Sequence, residues 1–283
     1  EFLKAYNLHG KEIGKGRVGV VGGGNSALDA ARVALRQSGV ESVTVFYRRT
    51  RQEMPAYEEE IEAALEEGVE IETLITPTKV NVEGGRLASI ECIRNELGEV
   101  DASGRRRPVP VAGSETVFPL DTLIVAISEE PDTDAVSSMD IRVDKGQVLS
   151  ADAKTCQTSR PGVFAGGDVV TGPNTVVEAI AAGKKAAVMI DRYLRGEQLA
   201  QPAVASLPRI LVEPVDSGGT ETETPARASQ PKIPVEERRH GFAEVEGALP
   251  EEAAVREAGR CLRCDLEFTQ AAAEEAARRT GTG

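Results

Sequence analysis

The run Val18-Gly19-Val20-Val21-Gly22-Gly23-Gly24-Asn25-Ser26-Ala27-Leu28-Asp29-Ala30-Ala31 constrains this chain more than any other stretch. A short β-rich segment enters a glycine turn and leaves as an alanine-rich helix. Glycine places no Cβ between backbone and ligand, so N–H groups at the helix start can face a diphosphate. The spacing is Gly22-x-Gly24-x-x-Ala27, and strand, turn and helix supply the context that a glycine pattern alone lacks. Gly22, Gly24, Asn25, Ser26 and Ala27 are therefore the expected diphosphate cradle. The competing reading is a tight strand-to-helix turn that binds nothing.

The segment after the helix selects the nucleotide. Gly39 ends the helix, and residues 41–47 read as a second strand, rich in β-branched and aromatic side chains. An NAD site usually carries Asp or Glu at the end of that strand, bonded to the ribose 2′-hydroxyl. This strand instead runs into Arg48, Arg49 and Arg51. Guanidinium forks suit a 2′-phosphate in charge and in bidentate geometry. NADP(H) is therefore expected over NAD(H), against the alternative of a solvated basic loop.

Charge narrows the class of partner. The chain of 283 residues carries a net charge of −13, so it lacks the electrostatic footprint of a nucleic-acid binder. No apolar run reaches the roughly 18 residues of a membrane span, and no signal peptide is visible. Four cysteines make no secreted disulfide framework, and a cytoplasmic setting is expected.

The first domain continues legibly. Pro55 can open a helix, Glu58, Glu59 and Glu60 suit its positive end, and Ile61, Ala64 and Leu65 form its apolar stripe up to Gly68. Residues 69–74 read as a strand, 79–83 and 86–94 as a hairpin about Gly84-Gly85, 95–107 as a polar loop, and 121–127 as a buried strand. Farther on, residues 158–168 form a short strand running into Gly166-Gly167-Asp168, and a helix is expected from about Asn174 to Leu194. An Asp after two glycines can accept hydrogen bonds from ligand hydroxyls, but it can equally cap a helix.

Four stretches carry a family resemblance: residues 18–31, 47–56 (Tyr-Arg-Arg-Thr-Arg-Gln-Glu-Met-Pro-Ala), 97–110 and 158–187. Together they resemble the small subunit of bacterial NADPH-dependent glutamate synthase and its relatives, flavoprotein electron-input subunits with a pyridine-nucleotide-disulfide-reductase-like fold. The resemblance covers roughly residues 1–196. It implies an α/β chain in which a Rossmann-like NADP-binding domain is inserted into an FAD-binding domain. The implied boundaries are 1–16 as the end of a flavin-domain segment, 17–128 for the NADP domain and 129–200 for the later part of the FAD domain. Asp168 with Gly167 would then hold the flavin ribitol and phosphate region, and the helix starting near Thr175 and Val176 would aim its N-terminus at the flavin. Hydride would pass from NADPH to FAD, and electrons would leave through iron–sulfur centres towards a partner subunit. Two departures stand out: Ser128 and Glu129 replace the family's usual Gly after Ala126-Ile127, and no second glycine fingerprint precedes Glu1. On that reading the FAD site is incomplete in this chain, and FAD is expected to bind weakly. A non-catalytic NADP-binding or assembly module is the alternative.

Composition marks residues 201–234 as a flexible linker and 235–283 as a helical tail ending in Arg260-Cys261-Leu262-Arg263-Cys264. Two thiolates are half of what zinc or a [4Fe–4S] cluster requires. Cys261 and Cys264 are thus either cluster ligands completed from outside this chain or an idle or redox-active pair. Disulfide reduction by this pair is a weaker third reading. His9 and His240 lack a metal constellation and read as surface residues.

Overall fold

The computed structural model describes residues 1–101, 104–129, 131–144, 148–201 and 227–259. Helix α1 (Phe2–His9) leads to strand β1 (Gly16–Val21), helix α2 (Asn25–Leu35) and strand β2 (Val40–Tyr47). A single 3₁₀ turn (Arg51–Glu53) precedes α3 (Glu58–Glu67) and β3 (Glu70–Thr73). Then come β4 (Ile75–Glu83), β5 (Arg86–Val100), β6 (Arg106–Pro110), β7 (Thr116–Pro119) and β8 (Thr122–Val125). Farther along lie α4 (Asp134–Ser137), α5 (Asp168–Thr171), α6 (Val176–Leu194), α7 (Val235–His240) and α8 (Glu251–Gly259). The chain divides into two compact units, Glu1–Ile127 with Ala228–Glu251, and Ser128–Arg227 with Glu252–Gly283.

In the first unit a parallel sheet has the order β3-β2-β1-β8. Strands laid outward from β1 through two helical crossovers, with a return to its other side, create a switch point at the carboxyl ends of β1 and β8. One face of the sheet packs the helices. Val18, Val20, Val43 and Val45 meet Ala27, Leu28, Ala30, Ala31 and Ala34 of α2 and Ile61 and Ala64 of α3, all essentially excluded from solvent. The alanines let α2 lie close on the strands, which fixes where its N-terminus emerges. Phe46 faces the other way, into a second cluster with Ile75, Ile90, Cys92 and Leu120. These residues join the parallel sheet to the antiparallel β4–β7 layer, with Phe118 set edge-on to Phe46 at 5.0 Å.

Three expectations from the sequence change in the fold. Residues 95–107 are largely strand rather than loop: β5 runs on to Val100 and pairs with β6 from Asn95↔Pro110 to Val100↔Arg106. The strand expected over 69–74 stops at Thr73, because Leu74 turns into a left-handed conformation (φ 55°) before β4 begins. In α3, Leu65 faces solvent and Glu67 takes the inward position. Glu67 survives burial because Arg32 grips it through Nε (3.0 Å) and Nη2 (2.8 Å), and Arg36 donates through Nη1 (2.8 Å). Burial opposes the Glu67 charge, but the two arginines outweigh it and hold the carboxyl below its ordinary range.

Residues 228–251 fold back onto this unit. Ile233 N–H donates to Val245 O (3.0 Å) and Gly247 N–H to Pro231 O (2.8 Å), closing a small loop. Arg238 pairs with Glu66 (3.0 Å), Arg36 Nε donates to Gly241 O (3.0 Å), and Phe242 stacks on Tyr6 at 4.5 Å. Composition places residues 228–234 in the linker, yet these local pairings hold them.

The second unit is sparser. Short bridges pair Val143 with Leu149, Ala151 with Thr158, and Gln157 with Phe164. Helix α6 touches them through Tyr193, edge-on to Phe164 at 5.7 Å. Of its 19 residues only Met189 is buried.

Candidate functional site

The glycine turn leaves the sheet at the switch point, and each glycine has its own reason to be there. Gly22 adopts φ +150°, and a Cβ on it would lie 2.3 Å from the Ala126 carbonyl oxygen, so β1 and β8 can approach only without one. A Cβ on Gly23 would strike the Tyr47 ring at 2.4 Å. Gly24 differs: a Cβ there would meet nothing nearer than Pro55 Cγ at 3.9 Å. The protein's own packing does not demand a glycine at position 24. Open space above the helix start does suit a ligand that approaches the backbone closely.

Gly24 is also the N-cap of α2, and no side chain caps it. Ala27 and Leu28 N–H close back onto the Gly24 carbonyl (2.9 and 3.3 Å). That leaves the N–H groups of Gly24, Asn25 and Ser26 without a protein acceptor among the described residues, at the positive end of an 11-residue helix. An unclosed helix N-terminus beside an open turn fits a diphosphate.

Two members of the expected cradle have structural roles. Ala27 is fully buried and its N–H is bonded to the Gly24 carbonyl, so it seats the helix on the strand. Gly22 donates its N–H to Phe46 O (3.1 Å). Asn25 keeps a free N–H, but its side chain accepts from Tyr57 N–H (2.9 Å) and so ties the turn to the start of α3. Ser26 is exposed, and no partner of its hydroxyl is found among the described residues. Gly23 O accepts from Ala56 N–H (3.1 Å), and Tyr47 Oη donates to Glu53 O (2.6 Å). The arginine-bearing loop is thereby stitched to the glycine turn.

The three arginines of that loop have different fates. Arg49 is 3% exposed, donating through Nη2 to Asp101 Oδ2 (2.6 Å) and through Nε to Arg106 O (2.6 Å). Its guanidinium is held inside the protein by these two partners. Arg51 pairs with Glu58 at the surface and lies 3.6 Å from Glu62. Arg48 projects into solvent with no protein partner for its guanidinium among the described residues. Of the trio, Arg48 is the one free to meet a phosphate.

The second expected site is built on α6. Gly167 holds φ +75°, a conformation glycine adopts freely, and delivers Asp168 with an exposed carboxylate that has no side-chain partner among the described residues. A cleft of about 380 Å³ is lined by Asp168, Asn174, Thr175, Val176, Ala179 and Ile180. The Thr175 hydroxyl is already occupied: it donates to Glu178 Oε2 (2.9 Å) and accepts from Glu178 N–H (3.3 Å) in a capping box. Thr175 therefore orders the helix start rather than binding a cofactor through its side chain. The Val176 and Val177 N–H groups point out of that end. An unpaired carboxylate beside an open helix N-terminus fits one edge of a flavin: the acid for ribitol hydroxyls, the N–H groups for electron-rich ring oxygens.

Cys261 and Cys264 lie outside the described residues. Among the described residues no cluster of three or more His, Cys, Asp and Glu side chains is arranged to hold a metal ion, and no helix is long and apolar enough to cross a membrane. Cys92 is sealed in the second core cluster, and burial next to Glu91 pushes its thiol up to about 11. His9 and His240 are exposed.

The residues sequence reasoning missed are Tyr47, Asn95, Asp101 and Glu67. Aromatic character at the end of β2 was visible for Tyr47. The other three depend on partners far away in the chain.

Known proteins extend this picture. A family model described as pyridine nucleotide-disulphide oxidoreductase matches residues 3–183. The beta subunit of an NADP(+)-dependent formate dehydrogenase from Moorella thermoacetica is 44% identical over 273 residues, covering 93% of this chain and 38% of that protein. The small chain of glutamate synthase [NADPH] from Escherichia coli is 40% identical, covering 63% of this chain and 39% of its own length. This chain thus spans about two fifths of the length of each of these two relatives. Thioredoxin reductase from Lactococcus lactis superposes with a TM-score of 0.54 at 21% identity, covering 68% of this chain and 57% of that one. At that identity the likeness establishes the fold alone.

Proposed function

This chain belongs to the pyridine nucleotide-disulphide oxidoreductase family, and from that premise we propose that it takes electrons from NADPH for an FAD-dependent oxidoreductase and hands them to a partner subunit. The observation that carries the reading is the uncapped start of α2, where Gly24 leaves space that no protein atom needs and three N–H groups lack acceptors. Gly24, Asn25 and Ser26 would hold the diphosphate through the backbone, and Arg48 the 2′-phosphate. Gly167 and Asp168, with Val176 N–H at the start of α6, would hold one edge of FAD. When bound, the two cofactors supply hydride transfer between nicotinamide and flavin, so no side-chain acid or base is required of the protein. The work of the chain is placement, electrostatics and exclusion of water.

NADPH appears in the name of the glutamate synthase relative and NADP(+) in that of the formate dehydrogenase relative. Both names are those of one subunit or chain of an enzyme, which supports an electron-accepting partner subunit; the proposed setting is cytoplasmic. Cys261 and Cys264 would join such a complex as cluster ligands completed by the partner.

Calorimetric titration of the full chain with NADP⁺ and NAD⁺, followed by NADPH oxidation with an artificial acceptor after adding FAD, tests the reading. Preferential NADP⁺ binding with steady turnover supports it. Selective binding without turnover converts it to a non-catalytic NADP-binding module. Equal affinity for the two nucleotides removes the 2′-phosphate assignment.

A further inference from the structure

We infer that the antiparallel β4–β6 layer sets coenzyme selectivity, with Asn95 acting on the Arg48 carbonyl and Asp101 acting through Arg49 as positioning residues that aim Arg48. This deepens the proposed NADP(H) reading and rests on it.

The loop after β2 is held at three consecutive points by residues far away in the chain. Asn95 Nδ2 donates to the Arg48 carbonyl (3.1 Å) and to Thr76 Oγ1 (2.8 Å). Leu74 N–H donates to the Arg49 carbonyl (3.0 Å), and Asn95 N–H donates to the Leu74 carbonyl (2.7 Å), so one asparagine supports both attachments. The third point is the Arg49 side chain, fixed to Asp101 Oδ2 and Arg106 O. Between these anchors only the Arg48 side chain is left unheld.

Asn95 is a costly choice if it served stability alone. It is 4% exposed, and its Oδ1 is buried with no hydrogen-bond partner among the described residues. A buried acceptor left unpaired carries its desolvation cost without return, and an apolar pair of the same shape would avoid that loss. What no apolar side chain can do is grip the carbonyl of Arg48. The donor must face that carbonyl, which leaves Oδ1 on the empty side. Arg49 obeys the same logic: its fork fixes two partners in one plane, a geometry that lysine cannot copy. A guanidinium reads phosphate through directed bonds, so a rigid backbone beneath Arg48 converts proximity into discrimination between NADP and NAD.

The test is the ratio of NADP⁺ to NAD⁺ dissociation constants, measured by calorimetry on the full chain as wild type, Arg48→Ala, Asn95→Ala and Asp101→Asn. Asn95→Ala is expected to reduce the preference for NADP⁺ about five- to tenfold, the worth of one oriented hydrogen bond, with NAD⁺ affinity unchanged. Asp101→Asn is expected to reduce it in the same direction, although it removes a negative charge near the site. If Asp101→Asn instead tightens NADP⁺, Arg49 reads the phosphate itself and the brace is wrong. An unchanged ratio in both variants also overturns it. If Asn95→Ala does not fold by circular dichroism, Asp101→Asn decides alone, since that carboxylate is partly exposed. A wild type without preference for NADP⁺ overturns the 2′-phosphate reading, and the brace with it; a preference that survives both substitutions overturns the brace only.

Discussion

The two helices proposed to face the cofactors differ in how they are held. Each follows a glycine-containing turn, but α2 starts without a side-chain cap whereas α6 starts in the Thr175–Glu178 capping box. Helix α2 buries Ala27, Leu28, Ala30, Ala31 and Ala34 against β1 and β2. Helix α6 buries only Met189 and leaves Val176, Val177, Ile180 and Leu194 between 54% and 77% exposed. The difference teaches where positional precision comes from. A helix clamped by its own unit presents its N–H groups at a fixed place before any ligand arrives. A helix with little cover among the described residues needs its surroundings, cofactor included, to define that place. NADP(H) selectivity is therefore expected to be intrinsic to the first unit, and flavin affinity to depend on what covers α6.

The largest effect expected from breaking this contrast is at Glu67. Glu67→Ala removes the buried carboxylate shared by Arg32 and Arg36, leaving Arg32 with Glu60 and Arg36 with backbone carbonyls, and loss of one partner of a buried ion cluster costs up to about 3–5 kcal/mol. Urea unfolding monitored by circular dichroism measures it. Because the Glu67 carboxyl is held below its ordinary range when folded, its contribution is complete at neutral pH and fades as the pH falls through that lowered value. Glu67→Gln is expected to flatten that part of the acid-unfolding curve.

Next in size is a matched pair. Ile61→Ala, at a side chain 1% exposed under α2, is expected to destabilise by about 2–5 kcal/mol. Ile180→Ala on α6, 54% exposed, is expected to stay within about 0.5 kcal/mol. Equal losses would show that α6 is as well covered as α2 and would erase the contrast. Smaller again is Gly24→Ala. The protein atom nearest its Cβ lies 3.9 Å away, so the melting temperature is expected to hold while NADP⁺ affinity falls about tenfold or more. A large loss of stability would mean that position 24 serves the fold after all.

Legibility in the sequence tracks the distance between partners. The glycine turn, the helix behind it and the basic loop are local patterns, and the parallel sheet is implied by their order. The family resemblance is borne out by the comparisons with known proteins. Arg49 looks equivalent to Arg48 in sequence because its partner Asp101 is 52 residues away, in a stretch whose composition reads as loop. Glu67 is hidden in an acidic helix whose other carboxylates do face water, and only Arg32 and Arg36 on a different helix reveal it. The cap at Thr175 is a local feature. Thr175 and Glu178 stand in the Thr-x-x-Glu spacing of a capping box, a local signal that is present and is overshadowed by the flavin resemblance.

Thiol chemistry gives the smallest and finest test of the contrast. Cys92 in the first unit and Cys156 in the second are both buried, and burial raises both thiols. With its thiol pushed up to about 11, Cys92 holds roughly one thiolate in a thousand at pH 8, so labelling from the closed state is negligible. Reaction must then wait for local opening, whose free energy tracks how well the surroundings are packed. In a Cys261→Ser, Cys264→Ser background, Cys156 is expected to react with an aromatic disulfide about tenfold faster than Cys92. Cys92 is sealed by Phe46, Ile75 and Ile90, whereas Cys156 sits among short bridges in a left-handed conformation (φ 58°). Adding FAD is expected to slow Cys156 and leave Cys92 unchanged, because only the second unit gains cover. Equal rates, or slowing of both, would place the two units in a single cooperative opening and remove the distinction between α2 and α6.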